Sequence, residues 1–279
     1  MSAVSQPAAR ATVWQAPGLP RLRAGGLALG FPLLGLGVLF ALWWFGGYLI
    51  SANPATASFA GFAPRPALAA LLRLLSAGEA WAIAWPSLYR VGLGLLWATL
   101  LGFPLGVLVG RYAAMRAASH LPFQLLRMIS PLAWMPIAVL AFSTWDSAIV
   151  FLIAAAAIWP ITFASANGIR RIDPQWFRVG RNLGAREHHL VRYVVLPAIL
   201  QDVLMGLRLA IGIAWIVLVP AEYLGVTSGL GYAINDARDT LEYDRLAAIV
   251  ILIGGIGFVL DAACLALIRR FAWAHHEPT

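Results

Sequence analysis

The chain contains no lysine, so all twenty of its cationic side chains are arginine. That absence excludes one chemistry. A phosphate-binding P-loop, GxxxxGK[ST], uses its lysine to reach the terminal phosphates, and no such loop can be built here. If ATP drives this protein, a different subunit hydrolyses it. Cysteine is almost as scarce. Cys264 stands alone, so neither a disulfide nor a cysteine-based metal site forms within one chain, and its place in an apolar run reads as packing. His120, His188, His189, His275 and His276 include no i, i+4 pair, so no metal is assigned. Neither GxSxG nor HExxH occurs, which removes the commonest hydrolase signatures. Charge is also thin. Charged residues make up 11% of the chain, against about 25% in soluble domains.

What fills the space is apolar. Hydrophobic residues are 61% of the sequence and mean hydropathy is +0.79, which marks an integral membrane protein. At roughly 20 residues per span, 279 residues hold about six helices and their connections. Apolar runs fall at residues 27–50, 89–109, 129–142, 148–166, 198–223 and 246–268. The third is short and interrupted by Pro131 and Pro136. Hydrocarbon leaves unpaired backbone groups unsatisfied, so runs of this length cross as helices, not as a barrel's short strands. The expected fold class is all-α: a polytopic membrane protein with about six transmembrane helices and both termini cytoplasmic.

The arginines set that orientation. They concentrate in residues 1–26, in the link holding Arg111, Arg116 and Arg127, in residues 167–197, and at Arg269 and Arg270. Those segments are read as cytoplasmic, with 1–26 and 271–279 as tails, 1–26 disordered, flanking one membrane domain at 27–270. Arginines scattered between apolar runs do not form a nucleic-acid face. On the external side, the leucines of ALAALLRLLSAGEAW recur at helical spacing, which suits a helix lying along the membrane surface. Residues 224–245, rich in glycine and acids, read as an ordered external loop.

The long polar insert DPQWFRVGRNLGAREHHLVRYVVLP, residues 173–197, is the informative interruption. Asp173-Pro174 is a helix-start signal, an N-cap followed by proline at the first helical position. Gly184 suits a left-handed C-cap. Trp176, Val179 and Leu183 recur at helical spacing with Arg178 and Arg181 between them, and Leu196-Pro197 leads into the fifth span. A short surface helix, a glycine turn and a second helix entering the bilayer are expected. On the residues alone, an ordinary cytoplasmic loop with a polar helix reads equally well.

The insert resembles the cytoplasmic EAA loop of bacterial ABC importer permeases, whose pattern is EAA, three residues, Gly, nine residues, then Ile-x-Leu-Pro. Gly184 falls on the glycine, Val194 on the isoleucine and Leu196-Pro197 on the exit. The triplet itself departs, being Arg178-Val179-Gly180. SLYRVGLGLLWATLLGFPLGVLVGR, PLAWMPIAVL, GLRLAIGIAWIVLVPAEYL and TSGLGYAINDA are similar to the branch that imports taurine, alkanesulfonates, nitrate or bicarbonate. The resemblance implies a permease in the bacterial inner membrane, paired with a second copy of itself. It implies two cytoplasmic ATPase subunits that bind the ATP and magnesium, so that this chain holds no cofactor. It also implies an external, periplasmic binding protein that delivers a small anion. Trp176, Arg178, Val179, Gly180, Leu183, Gly184 and Ala185 would form the coupling helix, with Leu196 and Pro197 behind it.

Polar groups within spans are costly and often functional. Arg208 either contacts an anion, snorkels to the headgroups, or pairs with Asp202. Glu222 either caps, pairs with Arg90, or belongs to an outer gate. Trp134 and Trp215 either line a cavity or pack in the core. Pro131 and Pro136 break or kink the third span and offer a pore segment, because irregular backbone at depth is tolerated where it lines a cavity. Asp261 is expected to pair with Arg269 or Arg270. A secondary transporter or channel working without ATP is the alternative, but such carriers usually show internal repeats and intramembrane carboxylates. An intramembrane enzyme would need a catalytic cluster.

Overall fold

The computed structural model describes residues 27–272, and within them the chain is helical with no strand. The expected tails, including His275 and His276, lie outside the described residues apart from a helical end that reaches Ala272. Five helices are long and apolar enough to cross a membrane, and a sixth candidate is a helix pair bent by 87°. They are α1 (Leu27–Ala52), α3 (Glu79–Arg111), α6 (Trp145–Arg171), α9 (Leu196–Gly225), α11 (Tyr243–Ala272) and the pair α4 (Ala113–Met128) with α5 (Met135–Ala141). Shorter helices are α2 (Pro64–Ser76), α7 (Pro174–Asn182), α8 (Glu187–Leu190) and α10 (Leu230–Asp239).

The core is α6 held between α3 and α9, with Ile149, Leu152, Ile153, Ala157 and Ile161 fully buried. Lipid tails are as apolar as leucine, so spans associate by close packing and not by hydrophobic transfer. The sequence provides for this with small residues every fourth position along α3: Gly94, Ala98, Gly102, Gly106 and Gly110, all buried. A Cβ added at Gly106 would lie 2.5 Å from the Thr162 carbonyl oxygen and 2.7 Å from Ser165 Cβ. At that separation Thr162 Oγ1 donates to the Gly102 carbonyl at 3.2 Å. Gly206 of α9 presses on Ala164 and the Pro160 carbonyl in the same way.

The third apolar unit differs from the expectation at 129–142. It begins at Ala113, and the link expected to carry Arg116 and Arg127 is the helix α4. Those cations lower the local hydropathy and hide the helix. The break falls at Ile129–Pro131, where the chain turns through a 3-10 turn, Pro131–Trp134, before α5. Pro136 opens α5 and does not kink a span, since a proline in the first turn removes no helical bond.

The amphipathic stretch folds as the helix α2. Its small face, Ala67, Ala70 and Leu74, is buried, and the helix packs chiefly on α11 with Arg73 donating to Asp244 at 2.7 Å. Leu68, Leu72 and Leu75 are its exposed face. The peripheral α1 is fastened at one end by Trp43, whose Nε1 donates to the Phe62 carbonyl at 2.9 Å.

Gly106→Val is expected to lower the detergent-solubilised protein's stability by about 1–3 kcal/mol, the usual cost of overpacking a tight core. Gly92→Val on the same helix, where an added Cβ meets nothing, is the control. Thermal unfolding of the two variants checks this, and equal midpoints would remove the α3–α6 seam as the determinant.

Candidate functional site: a capped insert and a set of partnered charges

The insert folds by local signals. Asp173 Oδ1 accepts from the Gln175 amide at 2.8 Å and caps α7, with Pro174 at the first position. The far end closes as a Schellman motif: Ala185 N donates to the Gly180 carbonyl at 3.0 Å and Gly184 N to the Arg181 carbonyl at 2.9 Å. Gly184 has φ +77°, which glycine adopts without the Cβ penalty. Gly180 has its own constraint. Leu190 is 1% exposed and sits where a Cβ on Gly180 would be, so the angle between α7 and α8 rests on that contact.

The chain then passes through a widened π turn, Val191–Val195, into α9. Leu196 N donates to the Val191 carbonyl, and Pro197, which has no N–H to give, follows at the start of α9. Insert and fifth span are therefore joined without a loop. Trp176, Val179 and Leu183 are 63%, 53% and 81% exposed, and together with Arg178 they leave an apolar and basic face pointing away from the protein. Ala185 is half-buried at the turn.

At the opposite end of the bundle the chain gathers a buried charge network. Glu222 of α9 is fully buried and Arg90 of α3 is 3% exposed. They form an ion pair, as the sequence allowed. Arg90 also donates to Asp146 Oδ1 at 2.7 Å, to the Ser228 carbonyl at 2.9 Å and to Ser228 Oγ at 2.9 Å. Ser87 Oγ donates to Glu222 and accepts from Leu230 N at 2.8 Å, while Glu222 Oε2 accepts from Gly231 N at 2.9 Å. The two first-turn amides of α10 are thus capped by side chains of α3 and α9, so the external segment is ordered by tertiary contacts. Ser87, Asp146 and Ser228 carry no signal in the sequence, because their partners are remote along the chain.

Arg208 does not pair with Asp202. Its guanidinium makes a two-pronged pair with Asp261 of α11, at 2.7 and 2.8 Å. Asp202 pairs instead with Arg171 at 3.0 Å, and Asp261 is not bound to Arg269 or Arg270. Helix proximity suggested neighbours on one helix, and cross-helix geometry won.

The remaining path candidates separate. Pro131 and Trp134 line a cavity of about 480 Å³ with Arg127, Phe151, Trp159, Phe163 and Ile213. Trp215 does not reach it. The indole lies against Gly257 of α11, where a Cβ would stand 2.8 Å from Nε1, so Trp215 is a packing residue. Pro136 and Glu222 are outside the cavity too. Among the described residues no group of three or more His, Cys, Asp or Glu is placed to hold a metal.

The geometry thus defines a helical membrane component with a rigidly attached polar insert at one end. Residues 102–273 match the family described as the binding-protein-dependent transport system inner membrane component, and the chain belongs to that family. It is 39% identical over 177 residues to the bicarbonate transport system permease protein CmpB of Synechococcus elongatus, a match spanning 63% of each chain. It is 30% identical over 249 residues to the taurine transport system permease protein TauC of Escherichia coli, covering 87% of this chain and 88% of that one. Both relatives are named as permeases and not as enzymes. A chain of the inward-facing MetNI methionine ABC transporter shares the fold at TM-score 0.57 and 18% identity, over 67% of this chain and 93% of that one.

Glu222→Gln leaves Arg90 buried beside a neutral partner, and is expected to cost about 3–5 kcal/mol. Asp146→Asn removes an exposed partner and is expected to cost about 1 kcal/mol or less. Thermal melts of both variants test the order. Equal losses would mean that Arg90 draws no special support from Glu222.

Proposed function

We propose that this chain is the membrane-spanning subunit of an ATP-driven importer for a small anion. The observation that carries the reading is the exposed face of α7. Trp176, Val179 and Leu183 are large apolar groups held out on a doubly capped helix. Exposed large apolar groups clustered on one face mark an interaction site. A cytoplasmic ATPase is the partner proposed, with ATP and magnesium bound there and none on this chain. Because α8 runs through the π turn into α9, a push on α7 reaches the fifth span as a rigid-body movement, one of the known routes of conformational switching.

The substrate side rests on the relatives. They are named for bicarbonate, aliphatic sulfonates, nitrate and taurine, all small solutes bearing an oxyanion. An external binding protein would deliver the solute, and a second copy of the chain would complete the path in a bacterial inner membrane. A carrier working without ATP would leave the α7 face without a use.

Purification of the tagged protein from its native membrane in mild detergent tests the reading. A P-loop ATPase is expected to co-purify, and Leu183→Asp together with Trp176→Ala is expected to lower its yield at least tenfold while leaving the permease's melting temperature unchanged. Wild-type protein that repeatedly comes without an ATPase, or variants that retain it in full, would contradict the proposal.

A further inference from the structure

Charge at membrane depth needs a partner. On α3, α4, α6, α9 and α11, Arg111, Arg116, Arg127, Arg170, Arg269 and Arg270 have no carboxylate within ion-pair distance among the described residues, and of these Arg127 is the one that lines the cavity at the α4–α5 break. Every carboxylate on α3, α6, α9 and α11 already faces an arginine: Glu79 with Arg245, Asp146 and Glu222 with Arg90, Asp202 with Arg171, Asp244 with Arg73, and Asp261 with Arg208. Arg127, on the last turn of α4, has no carboxylate within ion-pair distance among the described residues. Its guanidinium lies 5.5 Å over the Phe163 ring. Phe163 precedes the α6 end at Arg171 by eight residues, about 12 Å along the helix. The guanidinium therefore lies against the interior of the α6 span and not against its end. A partial charge from the end of α4 lies close by, but it does not neutralise a full one.

The surroundings are specific. Arg127 is the one charged side chain lining the cavity of about 480 Å³ at the α4–α5 break, whose other walls include Trp134, Phe151, Trp159 and Phe163. A second copy of the chain has no free carboxylate to offer from its long helices, since all are paired as above. A hydrated inorganic anion gains little here, because apolar walls cannot replace its water hydrogen bonds. We propose that this cavity is a station for an organic oxyanion, its head held by Arg127 and its apolar tail by Trp134, Phe151, Trp159 and Phe163. The site deepens the permease reading above and rests on it. The volume is within the usual range for small-ligand pockets, roughly 300–1,000 Å³. The broken helix fits the same role, since irregular backbone at this depth is tolerated where it lines a cavity.

The test is calorimetric binding to the purified chain in nanodiscs of phosphatidylcholine alone. The probes are methane-, butane- and hexanesulfonate, nitrate and bicarbonate, with binding to empty nanodiscs subtracted. Affinity is expected to rise about fourfold per added methylene, with hexanesulfonate at least tenfold above nitrate. Arg127→Gln is expected to lose at least tenfold on every sulfonate and Arg127→Lys less. Arg116→Gln, earlier on α4, is expected to bind as the unmodified protein does. The lysine variant and the melting temperatures keep the result readable if Arg127→Gln folds poorly.

Nitrate binding as tightly as hexanesulfonate, or Arg127→Gln binding unchanged, would overturn the proposal. So would binding seen only as displacement of phosphatidylglycerol from discs that contain it, which would make the cavity a lipid site. ATP-energised uptake into native membrane vesicles separates this from the parent reading. Uptake that persists with unchanged affinity in Arg127→Gln sinks the station and leaves the importer. Sulfonate binding as expected with no ATP-dependent uptake sinks the importer and leaves the station.

Discussion

Hydrocarbon tolerates neither an unpaired charge nor an unpaired backbone group, and that single constraint organises this protein. It forces the helical architecture. It puts Arg90 against Glu222 and Arg208 against Asp261, two pairs whose members lie on different helices. It also gives the network at the α10 end its form. An arginine and a glutamate buried together still have lone pairs and donors to satisfy, and Ser87, Ser228 and the first amides of α10 satisfy them. The external segment is therefore ordered as a consequence of burying a charge pair. The same rule makes Arg127 informative, because it stands in an apolar cavity with no carboxylate beside it.

Close packing is the second requirement, and it follows from the first. Spans that gain nothing by leaving lipid for one another must touch intimately. The glycine and alanine repeat on α3 lets the α6 backbone approach until a threonine hydroxyl reaches a carbonyl on the neighbouring helix. A seam that tight transmits displacement in place of absorbing it, because close-packed interiors compress little.

How much of this was legible in the sequence depends on the range of the interaction. The insert was readable because its determinants are local: Asp173-Pro174 at one end and Gly184 at the other set α7 within a residue or two. The apolar runs gave the long spans for the same reason. Glu222 with Arg90 was among the options open, since Arg90 is the lone charge in its run and Glu222 lies at the corresponding end of its own. Arg208 was not settled, because Asp202 is close in sequence while Asp261 lies 53 residues away. The helix α4 was missed for a different cause. Arg116, His120 and Arg127 depress its hydropathy, so the helix reads as a cytoplasmic link. In the sequence, the one charged residue that lines the cavity reads only as a marker of topology.

The two ends of the molecule are connected through one helix. The helix α9 starts at Leu196, behind the insert, passes Arg208 and Ile213, and carries Glu222 of the buried network in its last turn. A shift of α7 reaches α9 through the Gly180–Leu190 contact and the π turn with little slack between. That shift loads three joints in series: the Arg208–Asp261 pair with α11, the cavity wall at Ile213, and the Glu222 cap on α10. The first is half-exposed and is the easier of the two to break, whereas the last is buried and breaks only at a cost of several kcal/mol. Motion along α9 therefore spends itself at the Arg208 level and at the cavity before it disturbs the α10 end. The order of the joints follows from burial alone, with the more accessible pair on the insert side and the buried cap at the α10 end.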